Sequence, residues 1–143
     1  MADLARERRQ VRQIEFDHVA ALVDLLGPMT TEILVQICYD GQGRCCGTQV
    51  LFNVLGGAFA GCHRALVERG FATRARGYLL VHNHPSGRAL PSSQDIGATR
   101  AIVAVSGAVG FEVGDHLIVA GRDAVSMRRL GALRARPRHT GDK

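Results

Sequence analysis

Residues 78–95 read Tyr78-Leu-Leu-Val-His82-Asn-His84-Pro-Ser-Gly-Arg-Ala-Leu-Pro-Ser92-Ser-Gln-Asp95: a short apolar run, two histidines, a Pro/Ser/Gly loop and a polar helix start. The run from Tyr78 to Val81, bounded by Gly77 and by the loop, has the length and composition of a buried strand. Side chains alternate along a strand, so His82 and His84 fall on one face and Asn83 on the other, where it is expected to bond backbone inside the fold. Ser92 and Asp95 stand three apart at the start of a helical pattern. This predicts Ser92 as N-cap and Asp95 as the acidic partner of a capping box. Asp95 then lies in the first turn, where the helix dipole favours a carboxylate. Two imidazole nitrogens and one carboxylate are the donor set of a catalytic Zn²⁺ that keeps its fourth position open.

Upstream, Glu32 to Tyr39 is β-rich and nearly all apolar, Asp40-Gly41-Gln42-Gly43 supplies a turn, and Arg44 to Val54 reads as the partner strand of a hairpin. Ala2 to Leu26 carries a helical pattern, with Phe16, Val19, Ala20, Val23 and Leu26 on one face, and Gly27-Pro28 ends it. Gly56 to His63 is a small-residue loop. Cys62 to Arg69 reads as a helix stopped by Gly70. Downstream, a helix from about Ser93 to Val105 would turn Ile96, Thr99, Ile102 and Val103 inward. Asp115 to Ala120 is a strand opened by Asp115 and His116, and Ala124 to Leu130 a short edge strand. Helices interspersed among strands predict an α/β domain, a mixed sheet flanked by helices. The expected organisation is a helical segment over 1–29, the domain over 30–133, and a basic, disordered tail over 134–143.

With 143 residues, 46% hydrophobic and 22% charged, the chain suits one soluble globular domain. No segment approaches the roughly 18 apolar residues of a spanning helix, and the charged start lacks a signal peptide's apolar stretch. No membrane association and a cytoplasmic location are expected. The net charge of +5 is concentrated at the ends, in Arg6, Arg8, Arg9 and Arg12 and again from Arg128 to Arg138. Nucleic-acid contact is therefore expected to be weak and nonspecific. Cys38, Cys45, Cys46 and Cys62 show no Cys-x-x-Cys spacing and read as reduced residues partly buried in strands.

The spacing His82-x-His84-x7-Ser92-x2-Asp95 resembles the JAMM motif of JAB/MPN zinc metalloproteases. In its wording, His-Asn-His-Pro-Ser-Gly followed by Pro-Ser-x-x-Asp, it is similar to the bacterial RadC family in particular. Asp115-His116-Leu117-Ile118-Val119 also resembles that family's strand after the helix. The resemblance covers roughly residues 30 to 130. It implies a cytidine-deaminase-like layered fold, zinc held by His82, His84 and Asp95, and Ser92 assisting at the oxyanion. It further implies an acid/base glutamate at the head of an earlier strand, a place that Glu32 matches. Among the rivals, Gln49 cannot take a proton, and Glu15 and Glu68 lie on helices where a solvated carboxylate is the default. The implied activity is zinc-dependent hydrolysis of a peptide or isopeptide bond in a protein substrate.

Full-length members of that family resemble a two-part chain with a helix-hairpin-helix region first, and no such region is expected ahead of Glu32. The competing reading is a DNA-repair-associated or other nucleic-acid accessory protein with a structural zinc. A zinc deaminase would need a Pro-Cys-x-x-Cys pair that this sequence lacks.

Overall fold

The computed structural model describes residues 20–52 and 61–133. Their elements are a helical stretch over 20–26 (α1), strands β1 (Ile33–Tyr39) and β2 (Cys45–Phe52), helix α2 (His63–Ala72), strand β3 (Gly77–Asn83), helix α3 (Ser93–Ala108), and strands β4 (Glu112–Ala120) and β5 (Asp123–Ser126). They form one five-stranded sheet in the order β2-β1-β3-β4-β5. The expected mixed sheet flanked by helices is the observed architecture. The parts of the expected first helix before residue 20, the end of the expected partner strand at 53–54, the expected small-residue loop up to residue 60 and the basic tail over 134–143 lie outside the described residues.

The hairpin closes as its turn residues require. The Asp40 carboxylate accepts from the backbone N–H of Gln42 and of Arg44, both at 2.9 Å, which holds the chain reversal between β1 and β2. β1 also pairs antiparallel with β3, from Leu34 opposite His82 to Tyr39 opposite Gly77. β3 and β4 are parallel, a pairing that needs a crossover connection, which α3 supplies.

Every residue of β1 and of β3 is buried, so the centre of the sheet is covered on both faces. One face, with Val35, Ile37, Leu79, Val81 and Leu117, packs against Leu22, Val23 and Leu26 of α1. The other, with Leu34, Tyr78 and Leu80, packs under Leu66 of α2 and Ile102 of α3. Alternation along β3 therefore sends His82 to the α2/α3 side and Asn83 to the α1 side.

Three local expectations are corrected. Gly70 does not stop α2, which runs on to Ala72. A side chain at Gly70 would press on the Phe111 ring at 2.8 Å, so this glycine serves close packing, and the reversal comes at Arg74, whose φ is +53°. The buried stripe of α3 keeps the expected Thr99 and Ile102 but is completed by Asp95 and Ser106, while the expected Ile96 and Val103 are only half-buried. It is more polar than apolar because the strands beneath offer it imidazoles and the Tyr78 hydroxyl, which bonds the Ser106 hydroxyl. Finally, β4 begins at Glu112, so Asp115 and His116 lie within the strand, not at its start.

Candidate metal centre

His82 is the penultimate residue of β3 and fully buried. His84 continues the strand by one bond, its N–H donating to Val119 O at 2.8 Å, and the chain then folds back through Gly87, where φ is +83°. That fold-back brings Arg88 O to 2.7 Å from His84 Nδ1. A carbonyl only accepts, so Nδ1 carries the proton, and the lone pair of the neutral ring sits on Nε2. His84 Nε2 faces His82 Nε2 at 2.8 Å.

Asp95 arrives from the other side, at the start of α3. The capping box is formed as read from the sequence: Ser92 Oγ accepts from Asp95 N at 3.0 Å, and Asp95 Oδ2 accepts from Ser92 N at 2.8 Å. The same carboxylate turns Oδ2 to within 3.1 Å of His84 Nε2 and Oδ1 to within 3.6 Å of His82 Nε2. Glu32 immediately precedes β1, and the Leu34–His82 pairing brings it alongside the two histidines. Its Oε1 is 4.0 Å from His82 Nε2. Ligand atoms of Glu32, His82, His84 and Asp95 all lie within 4.8 Å of one another, a cluster that could hold a metal ion. Glu32, His84, Ser92 and Asp95, with Pro85 and Ser86, line a concavity open to solvent. All five site residues anticipated in the sequence therefore meet in one place.

Asn83 sets the entry of β1. Its Oδ1 accepts from Ile33 N at 2.7 Å and its Nδ2 donates to Thr31 O at 2.9 Å. The side-chain amide thus supplies the rung beyond the last β1–β3 backbone pair and grips the residues on both sides of Glu32.

The electrostatics follow from burial. Desolvation pushes the His82 imidazole down to about 3, against the pull of the Asp95 carboxylate, so the ring is neutral near neutral pH. Glu32 is pushed up, first by partial burial and less by Asp95, while His84 acts the other way. The imidazole nitrogens of His82 and His84 and the buried Asp95 carboxylate converge as electron-pair donors that a cation could share. The donors are those of a zinc site with three protein ligands.

Residues the sequence reading did not assign complete the surroundings. His116, fully buried in β4, puts Nε2 at 2.6 Å from His82 Nδ1, and its Nδ1 lies 2.7 Å from Thr99 Oγ1. Asp115 accepts from His116 N at 2.7 Å and Arg128 N at 3.0 Å and also takes the Ser126 hydroxyl, pinning β5 and the following turn to β4. A titratable pair inside an otherwise apolar strand was the available signal, since buried polar groups are held by partners. Of the rival carboxylates, Glu68 pairs with Arg64 on the exposed side of α2, and Glu15 lies outside the described residues. Gln49 lies in β2, opposite Gln36. The four cysteines are free, Cys38 and Cys62 buried.

A mixed sheet covered by helices, with a His/His/Asp/Glu cluster where β3 gives way to α3, defines an α/β domain built around a candidate metal centre. The chain belongs to the RadC-like JAB domain family, whose model matches residues 14–132. It is similar to a UPF0758 protein of Polaromonas sp., with 35% identity over 108 residues, 76% of this chain and 48% of the relative. A UPF0758 protein of Photobacterium profundum is 35% identical over 112 residues, covering 78% of this chain and 50% of that protein. Another, from Finegoldia magna, reaches 47% identity over a shorter stretch of 66 residues, 46% of this chain and 30% of the relative. The chain thus spans about half the length of the first two. No helix of the described residues is long and apolar enough to cross a membrane.

Proposed function

We propose that this domain is a zinc-dependent hydrolase of amide bonds, acting on a peptide or isopeptide linkage in a protein substrate. The observation that carries this reading is the convergence of His82 Nε2, His84 Nε2 and the Asp95 carboxylate, with Glu32 Oε1 4.0 Å from His82 Nε2, beneath a concavity open to solvent that His84, Asp95 and Glu32 line. His82, His84 and Asp95 would hold the ion. When bound, zinc supplies Lewis-acid chemistry, acidifying water towards a pKa of about 7 and polarising the scissile carbonyl.

Glu32 is the acid/base. Its raised pKa, from burial, brings the carboxyl nearer the working pH, where a group can both take a proton from water and return it to the leaving nitrogen. Asn83 fixes the backbone on either side of it, so the carboxylate is presented from a set position. Ser92 accepts from Asp95 N through its oxygen, and that bond does not consume the hydroxyl proton, which can be donated to the oxyanion that develops on the substrate.

The test is a paired measurement on wild type and Glu32→Gln: zinc per chain, and turnover of peptide and isopeptide substrates drawn from a library. Glutamine keeps size and polarity but takes no proton, so zinc content stays and turnover falls by roughly 10² to 10⁴. Unchanged turnover would remove Glu32 from the mechanism, and lost zinc would make it a ligand.

A further inference from the structure

Thr99, on the buried stripe of α3, has one hydroxyl proton. Its Oγ1 lies 2.7 Å from Asp95 O and 2.7 Å from His116 Nδ1. The carbonyl can only accept, so the Thr99 proton goes to Asp95 O, and in the second bond the imidazole must be the donor. His116 therefore carries its proton on Nδ1 and a lone pair on Nε2. At 2.6 Å from that lone pair stands His82 Nδ1, which must in turn supply the proton. His82 is left with its lone pair on Nε2, the atom that faces His84 Nε2 and Asp95. The direction of each bond follows from the one before it. The starting point is a backbone carbonyl that cannot change roles.

The opposite order would defeat metal binding. If Thr99 donated to His116 Nδ1, then His116 Nε2 would bear a proton, His82 Nδ1 would accept it, and His82 Nε2 would be an N–H aimed at the site. A protonated ring nitrogen has no pair to give a cation.

The backbone is built to bring His116 to this place. Along β3 and β4, Tyr78 pairs with Val113 but Leu79 pairs with Asp115, so Gly114 is an extra residue, a bulge. Without it, His116 would pair with Val81 and point to the α1 side, because a one-residue slip turns every side chain over. With it, His116 pairs with Leu80 and shares the face of His82 and α3. Thr99 and His116 are both fully buried, so water does not compete for either bond.

We propose that Thr99 and His116 are positioning residues that fix His82 in the tautomer with Nε2 unprotonated, and thereby set the affinity of the site for a divalent cation. This rests on the zinc reading above. Partners of a metal-binding histidine's second nitrogen typically contribute 10- to 100-fold in affinity. The experiment uses the full chain, stripped of metal, in three forms: wild type, Thr99→Val and Thr99→Ser. Zinc affinity is read by competition with a chromophoric chelator, and the imidazole tautomers by nitrogen NMR of isotope-labelled histidine. Wild type should show His82 and His116 protonated at Nδ1. Thr99→Val keeps shape but removes the acceptor, so zinc binding should weaken by roughly 10- to 100-fold and His82 Nε2 should gain proton character. Thr99→Ser should restore both the affinity and the tautomer.

Wild-type zinc affinity and an unchanged tautomer in Thr99→Val would overturn the positioning role while leaving the metal reading in place. Failure of wild type to bind zinc would overturn the metal reading itself. Should Thr99→Val not fold, the wild-type spectrum decides: an N–H at His82 Nε2 in the metal-free protein refutes the proton order, and one at Nδ1 bears it out.

Discussion

Replacing Asn83 by alanine isolates how β1 is set beside the candidate metal centre. Asn83 is buried, and its amide makes two bonds, to Ile33 N at 2.7 Å and to Thr31 O at 2.9 Å. The two losses are unequal. Thr31 is exposed, and its carbonyl can take water instead. Ile33 is buried, so its N–H is left without an acceptor, a desolvation penalty of about 1–3 kcal/mol. With the net worth of the second bond added, Asn83→Ala should cost about 2–4 kcal/mol. At a urea m-value of about 2 kcal/mol/M, the midpoint of unfolding of the metal-free chain drops by roughly 1 M or more with m unchanged. Zinc stoichiometry should stay, because none of His82, His84 and Asp95 loses a bond. Turnover should fall by roughly 10-fold or more, because the carboxylate of Glu32 loses the backbone clamp on both sides, and a displacement of about 1 Å can cost up to 10²-fold. Asn83→Asp is the informative partner, since it keeps the acceptor for Ile33 N but sets an oxygen against Thr31 O. A midpoint and turnover both equal to wild type in Asn83→Ala would refute the clamp.

Ser92→Ala should cost about 1 kcal/mol, the loss of a helix cap, and Ser92→Thr should retain most of that stability, with both read from urea midpoints. Turnover in Ser92→Ala should fall further than the stability change explains, and equal turnover would leave Ser92 a cap alone. Metal-free protein should also be acid-sensitive in the imidazole range. Burial holds the folded pKa of His82 down at about 3 and that of His116 well below 6.5, whereas the unfolded rings take protons below about 6.5. Their stabilisation is thus fully present above about 6.5 and is lost as pH falls from there, by up to about 1.4 kcal/mol per pH unit for each ring. Glu32, with a raised pKa, contributes with the opposite sign, so the net slope is smaller than two full protons. Unfolding midpoints that stay flat from about pH 7.5 to about pH 5 would contradict this.

The parts of the site that the sequence disclosed are those governed by local rules. His82 and His84 share a face because strands alternate, and Ser92 and Asp95 cap a helix because of their spacing of three. The structure keeps both relations. Asn83 was expected to bond backbone and does so. Glu32 was placed by family resemblance, and the long-range pairing of β1 with β3 brings it to the histidines. What stayed hidden depends on register between distant strands. His116 belongs to the site only because the bulge at Gly114 turns over the second half of β4, and a glycine in a strand does not reveal which neighbour it slips against. The same holds for Gly70, which resembles a helix stop until Phe111, far along the chain, is seen against it. On the buried stripe of α3, Asp95 and Thr99 follow from the sequence, whereas Ser106 is legible only once the Tyr78 hydroxyl is seen beneath it.

The most direct test of the central claim is calorimetric titration of the metal-free chain with zinc, on wild type and on the double variant His82→Ala/His84→Ala. One tight site per chain is expected in wild type and its loss in the double variant, because two of the three converging donors are gone. Equal zinc binding by both proteins, or none by wild type, would contradict it.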